Sequence, residues 1–257
     1  MIHPSAVVSD GAVLADDVEV GPFSFIDENV EIGAGTVVGS HVVIKGPSKI
    51  GRNNKIHQFA AIGDAPQDLK YNGEETWLVV GDNNTIREYA TINRGTVDGG
   101  SYTRIGNNNL LMAYTHVAHD CLLGNNIVFS NGASLAGHVE VGDHVILSGF
   151  SLVHQFCKIG NNAFAGMGSS INKDVTPYTL VSGNYATARS INKEGLRRRG
   201  FSDESIQALH QIYKIMLRGA KVELSDERVL ALSAAHPEVA NFVAFIEAST
   251  RGVVRSA

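Results

Sequence analysis

An aliphatic side chain falls at every sixth position over most of this 257-residue chain. Steps of six from Ile2 land on Val8, Leu14, Val20, Ile26, Ile32, Val38, Ile44, Ile50, Ile56 and Ile62 without a break. The register resumes at Val80, Ile86 and Ile92, and again from Ile105 through Leu111, Val117, Leu123, Phe129, Leu135, Val141, Leu147, Val153, Ile159 and Ala165 to Ile171. A six-residue period fits neither the 3.6 of a helix nor the two-residue alternation of a simple strand. It fits a coil with three flat faces of six residues each. The aliphatic residue points to the axis of a triangular prism, and Gly, Asn and Asp turn the corners. Eighteen residues close one turn, and successive turns stack as parallel strands about 4.8 Å apart. Each coil buries its neighbour's core, so stability accumulates along the stack. The expected fold class is mainly β: a parallel β-helix of hexapeptide repeats over residues 1–187, then a small α-helical domain over 188–257.

Two stretches interrupt the register, residues 63–79 and 96–104. Both are expected to be insertion loops leaving one coil, where function often resides. Past Ile171 the period ends, and from about residue 190 it turns helical. Ser202 reads as an N-cap before Ile206, Leu209, Ile212, Tyr213, Met216 and Leu217, with Gly219 as the stop. Further helices are expected near Ser225 and from Pro237. Charge divides unevenly: residues 1–188 carry 10 basic and 18 acidic side chains, residues 189–257 carry 11 and 8. The tail is therefore the half better suited to an anionic partner. Nothing resembles a secretory leader, and no segment reaches the roughly 18 apolar residues of a membrane span. The expectation is a soluble, cytoplasmic protein without a nucleic-acid partner.

The eighteen-residue turn also maps side chains into columns. Cys121 and Cys157 are 36 residues apart, hence two coils and about 9.6 Å, too far for a disulfide. In the same way His119 lies one coil from Gly137 and two from Gln155, Asp120 one coil from His138, and His154 belongs to the same strip. His116 sits just before it. An imidazole cluster of this kind suits proton transfer near neutral pH. Zinc held by three histidines is the other chemistry such a cluster allows, and a chance grouping of surface histidines is the third reading.

The stretches QDLKY (67–71), NRGTV (93–97), THVAHDC (115–121), LAGH (135–138), VHQFC (153–157) and EGLRRRGF (194–201) occur in this order. Together they resemble the UDP-N-acetylglucosamine O-acyltransferases that begin lipid A synthesis, over essentially the whole chain. The resemblance implies a left-handed β-helix and transfer of a 3-hydroxyacyl group from acyl carrier protein to the 3-hydroxyl of UDP-N-acetylglucosamine, with no cofactor and no metal. It implies that His119 is the general base, that Asp120 orients it, and that the Gly137 N–H is the oxyanion donor. Gln67, Asp68 and Lys70 then hold sugar and acyl groups, with His116, His138 and His154 as further pocket histidines. Gln155, Asn192, Glu194, Arg198 and Arg199 match contacts to uridine and diphosphate. From the residues alone, Arg197–Arg199 read as a solvated turn before a helix; the resemblance reverses that. It also implies a homotrimer with sites between subunits.

Two residues depart from the family pattern. Met167 stands where members accepting long chains have Gly, at a position resembling the floor of the acyl groove. Its side chain would fill the space of several methylenes, which favours 3-hydroxydecanoyl over 3-hydroxymyristoyl as donor; adaptable packing is the plainer role for a methionine. Asn93 replaces a His. Competing functions are a related acyltransferase acting on an amine or using acetyl-CoA, and a zinc lyase resembling γ-carbonic anhydrase. A purely structural β-helix would leave the histidine strip unexplained.

Overall fold

The computed structural model describes residues 1–256. Short strands wind into a prism with three sheets of nine, eight and ten strands, parallel throughout except for the last pair of the ten-stranded sheet. Pairing follows the eighteen-residue turn: His116 lies beside Ser134, Leu135 beside Val153, and Glu140 beside Lys158. The aliphatic positions of the sequence register are buried from Val20 to Ile171. Each such side chain contributes roughly 1.5–3 kcal/mol relative to exposure. Ile2 is exposed and Val8 and Leu14 only partly covered, because the first coil has no neighbour beneath it.

Polar residues work inside the prism too. Asn54, Asn84 and Asn109 are buried in one column, each side-chain oxygen accepting the backbone N–H of the next coil at 2.7–2.9 Å. Corners repeat a left-handed backbone conformation at residues such as Asn108, Asp120, Asn126 and His138, with φ near +60°. This repetition aims corner side chains outward in register from coil to coil. Cys121 and Cys157 are buried free thiols, and burial pushes them up to about 12 and about 11.

The insertions lengthen two coils. The strands resume earlier than the broken period suggested, at Trp77–Val80 and Tyr102–Ile105, so the irregular segments are residues 65–76 and 94–101. Trp77 and Tyr102 pair side by side, which extends the sheet beyond the aliphatic register. Arg94 ties down the first insertion, donating to the Gly63 carbonyl at 2.6 Å and to the Tyr71 hydroxyl at 3.2 Å. Asn93 donates to the Ala65 carbonyl at 2.6 Å.

The last coil is closed by the antiparallel pair Thr179–Gly183 and Ala186–Ile191, so strand structure runs past residue 187. Four helices follow: α1 (Lys193–Arg198), α2 (Asp203–Leu217), α3 (Glu227–Ala235) and α4 (Pro237–Ala248). Ser202 caps α2 by accepting from the Ser205 N–H. Tyr213 of α2 reaches back to the Ala188 carbonyl at 3.1 Å. The short α1 was not anticipated; Asn192 caps it and Glu194 sits in its first turn. No described helix is long and apolar enough to cross a membrane.

Candidate active site

One edge of the prism, between the nine- and eight-stranded sheets, collects most of the reactive side chains. His119, Asp120, Gly137, His138, His154 and Gln155 all lie in turns leaving the nine-stranded sheet, and His116 lies on the strand entering that edge. Both insertions leave the same edge, since each separates a strand of the nine-stranded sheet from the next strand of the eight-stranded one. The interruptions of the repeat and the histidine strip are thus one locality.

At its centre Asp120 is 5% exposed and fully hydrogen-bonded. Its Oδ1 accepts the Thr96 N–H and its Oδ2 accepts the Thr96 hydroxyl, both at 2.7 Å. His119 Nδ1 lies 2.7 Å from the same Oδ2. Burial alone would raise the Asp120 carboxyl, but the hydrogen bonds from His119 and Thr96 outweigh it and hold the group below its ordinary value. An ionised carboxylate can only accept, so the proton of neutral His119 resides on Nδ1 and the Nε2 lone pair is free. The second insertion closes over the carboxylate: Thr96 donates to it, and Gly99 lies so near that a Cβ would collide with Asp120.

Gly137 supplies the other half of the centre. A Cβ there would stand 2.6 Å from Cε1 and 2.8 Å from Nε2 of His119, so only glycine leaves the imidazole in place. The Gly137 N–H donates to no other described residue, leaving a backbone donor beside the free lone pair. His138 completes the wall. It meets His119 edge-on at 5.2 Å, lies flat on Phe156 at 4.4 Å, and has Nε2 3.6 Å from Asp120 Oδ2. Burial lowers His138, only partly offset by Asp120. His116 hydrogen-bonds the Thr91 hydroxyl at 2.7 Å and is also lowered, by burial first and by nearby His119 second.

Asp68 lies in the first insertion, close enough to His138 to act on it electrostatically. Asp68 and Lys70 line a cavity of ≈ 230 Å³ together with Thr96 and Asp98 of the second insertion. Gln67 and Lys70 are exposed, and Leu69 between them is wholly so. His154 and Gln155 are exposed one coil beyond Gly137. Sequence reasoning missed Thr96, Gly99 and Phe156. Column arithmetic could have found Phe156, eighteen residues after His138, but not residues inside an insertion.

The remaining candidates occupy other parts of the prism. Glu194, Arg198 and Arg199 belong to α1 and its C-cap, beside the edge between the eight- and ten-stranded sheets. There Arg199 donates to the His144 carbonyl at 2.9 Å, and burial lowers its guanidinium. Glu194 and Arg198 pair at 3.2 Å on the surface. Asn192 is buried, donating to the Asn162 carbonyl at 3.0 Å while capping α1, so its side chain anchors the helix. Met167 is 80% exposed on the third edge. Within one chain these groups do not meet His119.

His119, Asp120 and His138 each place one ligand-type atom within 4.8 Å of the others, a spread a divalent ion could span. Both Asp120 oxygens already accept hydrogen bonds, and Nδ1 of His119 is engaged with one of them. Asp120 and Nδ1 of His119 are thus already committed to one another and to Thr96, while His138 stands beside them at 3.6 Å without a hydrogen bond.

Comparison with known proteins agrees over the whole length. Residues 174–254 match the family model described as UDP N-acetylglucosamine O-acyltransferase, domain 2, and residues 102–137 match the bacterial transferase hexapeptide model. The acyl-[acyl-carrier-protein]–UDP-N-acetylglucosamine O-acyltransferase of Saccharophagus degradans is 54% identical over 255 residues, 99% of each chain. The UDP-N-acetylglucosamine O-acyltransferase structure from Moraxella catarrhalis is 45% identical, covers 99% of both chains and superposes with a TM-score of 0.94. The UDP-N-acetylglucosamine acyltransferase of Francisella novicida is 42% identical, covering 100% of this chain and 94% of its own, with a TM-score of 0.95. The coil is accordingly left-handed.

Proposed function

The chain belongs to the UDP-N-acetylglucosamine O-acyltransferases, and from that premise we propose how its residues carry the reaction. The enzyme transfers an acyl group from acyl carrier protein to UDP-N-acetylglucosamine, the first step of lipid A biosynthesis. The observation that carries the mechanism is the order Thr96–Asp120–His119–Gly137. Asp120 holds the proton of His119 on Nδ1, which leaves Nε2 to take the proton from the sugar 3-hydroxyl. As that oxygen attacks the thioester carbonyl, the Gly137 N–H receives the developing oxyanion, a contact worth about 3 kcal/mol in other enzymes. Collapse breaks the C–S bond, and the imidazolium returns its proton to the departing carrier thiolate. Asp120 stabilises the imidazolium while it exists.

Gln67, Asp68 and Lys70 are placed to hold sugar and acyl groups from the insertion. His116, His138, His154 and Gln155 line the same edge. Glu194, Arg198 and Arg199 suit the uridine and diphosphate, guanidinium forks matching phosphate oxygens, with Asn192 fixing their helix. Because these groups and Met167 lie away from the histidine edge, a complete site needs a second chain, and a homotrimer supplies one at each interface. Met167, exposed in a single chain, then faces the acyl groove from a neighbour and favours a ten-carbon 3-hydroxyacyl donor. The cytoplasm is the proposed location. The test is formation of the O-acylated sugar nucleotide from acyl carrier protein by purified protein, and its absence with His119→Ala.

A further inference from the structure

Beyond α4 the chain returns over the final coil as a strap, and buried Asp174 fastens it. The Asp174 N–H donates to the Gly252 carbonyl at 3.0 Å, and the Asp174 carbonyl accepts the Val254 N–H at 2.8 Å. The Ser249 hydroxyl donates to Asp174 Oδ2 at 2.6 Å, while Oδ1 accepts the Lys158 N–H at 2.8 Å. This fastening sets the position of Arg251. Its Nε donates to the Asn172 carbonyl at 2.9 Å, and its terminal nitrogen lies 2.8 Å from Nδ1 of His154.

That contact dictates a proton position. A guanidinium has only donors, so His154 must offer Arg251 a bare Nδ1 and carry its own proton on Nε2. The carbonyl of Gln155 competes for the same nitrogen at 3.1 Å, and being an acceptor it demands the opposite, a proton on Nδ1. The shorter, charge-assisted bond prevails.

We propose that Arg251 is a positioning residue for the reaction: it locks His154 in the Nε2–H tautomer, so that the ring presents a donor to an acceptor oxygen of the bound sugar nucleotide. The proposal rests on the reading of His154 as a pocket residue. Without Arg251 the proton moves to Nδ1 and bonds the Gln155 carbonyl. Nε2 then becomes an acceptor, the wrong polarity for a phosphate or carbonyl oxygen, which can only accept. The C-terminal strap is thereby a working part of the site.

Nitrogen-15 NMR of the histidine rings in the full-length protein tests this, with His154 assigned through His154→Gln and spectra taken where the ring is neutral. The expected result is a bare Nδ1 in the wild type, a protonated Nδ1 in Arg251→Met, and the wild-type tautomer in Arg251→Lys, whose ammonium also only donates. In steady-state assays the KM for UDP-N-acetylglucosamine should rise about tenfold in Arg251→Met with kcat within about twofold, and recover in Arg251→Lys. A protonated Nδ1 in the wild type overturns the proposal, even if Arg251→Met fails to fold. So does a tautomer change without a change in KM. If His154→Gln leaves KM unaltered, the pocket reading of His154 fails, independently of the tautomer result.

Discussion

Nδ1 of His119 and Oδ2 of Asp120 stand 2.7 Å apart, and Thr96 holds the same carboxylate from the other side through both its N–H and its hydroxyl. The pair fixes which ring nitrogen is free to work. Replacing His119 by Ala should lower kcat by about 10²–10⁴, the usual worth of a positioned general base. Asp120→Asn should also be severely impaired, because an amide nitrogen toward Nδ1 favours the wrong tautomer. Thr96→Val keeps the backbone donor and loses the hydroxyl, so a smaller loss, about tenfold, is expected. Steady-state kinetics of the three variants check the order; a Thr96→Val loss equal to that of His119→Ala would contradict it.

Gly137 is constrained by His119 rather than by its own backbone. Adding one methyl group puts carbon 2.6 Å from the imidazole, so Gly137→Ala should push the base out of line. Misplacement of about 1 Å costs on the order of 10²-fold in rate. Thermal melting should move far less than activity, since the ring is the part able to shift. A variant with wild-type kcat would show that the His119 ring has freedom the geometry denies.

Stability should fall as the medium is acidified, through His116 and His138. Burial lowers both in the folded protein, whereas an unfolded histidine titrates near 6.5. Their stabilising contribution is complete above about pH 6.5 and is lost as pH falls from there toward the folded values, because the unfolded chain then binds protons that the folded chain refuses. Melting temperatures compared at neutral and mildly acidic pH should show a smaller drop for His116→Gln than for wild type. An equal drop would remove His116 from this account.

A site divided between edges predicts rescue by mixing. His119→Ala and Arg198→Ala should each be inactive or weak alone. Coexpressed, they should form mixed oligomers in which some interfaces join an intact His119 edge to an intact α1. Activity above either parent, in oligomers carrying both chains, is expected. No recovery in verified mixed oligomers would mean that one chain builds the whole site.

How much of this was legible beforehand depends on the residue. Ile26, Ile86 and Leu135 announced a buried register because a side chain pointing to the axis recurs every six residues, and any interruption of it shows. His119 and Gly137 could be paired from sequence because eighteen residues separate them and one coil is eighteen residues. Thr96 could not, since its separation from Asp120 crosses an insertion where the period is suspended. The resumption of strand at Trp77 and Tyr102 was hidden for a similar reason: pairing with a neighbouring coil extends a strand past the residues that keep the six-residue register. Helix α1 was missed because six residues carry too little periodicity, although Asn192 and Glu194 form a readable N-terminal signal. The bond from Arg251 to His154 spans 97 residues, and only the fold brings the two together.

The most direct measurement incubates purified protein with UDP-N-acetylglucosamine and acyl carrier protein bearing 3-hydroxyacyl chains of graded length, with products read by mass spectrometry. His119→Ala and Met167→Gly are run alongside. The account predicts an O-acylated sugar nucleotide that peaks with the ten-carbon donor, is lost in His119→Ala, and shifts toward longer donors in Met167→Gly, each methylene accommodated being worth about 0.8 kcal/mol. A wild-type peak at longer donors would contradict the role of Met167. Absence of ester product from every donor would contradict the account at its centre.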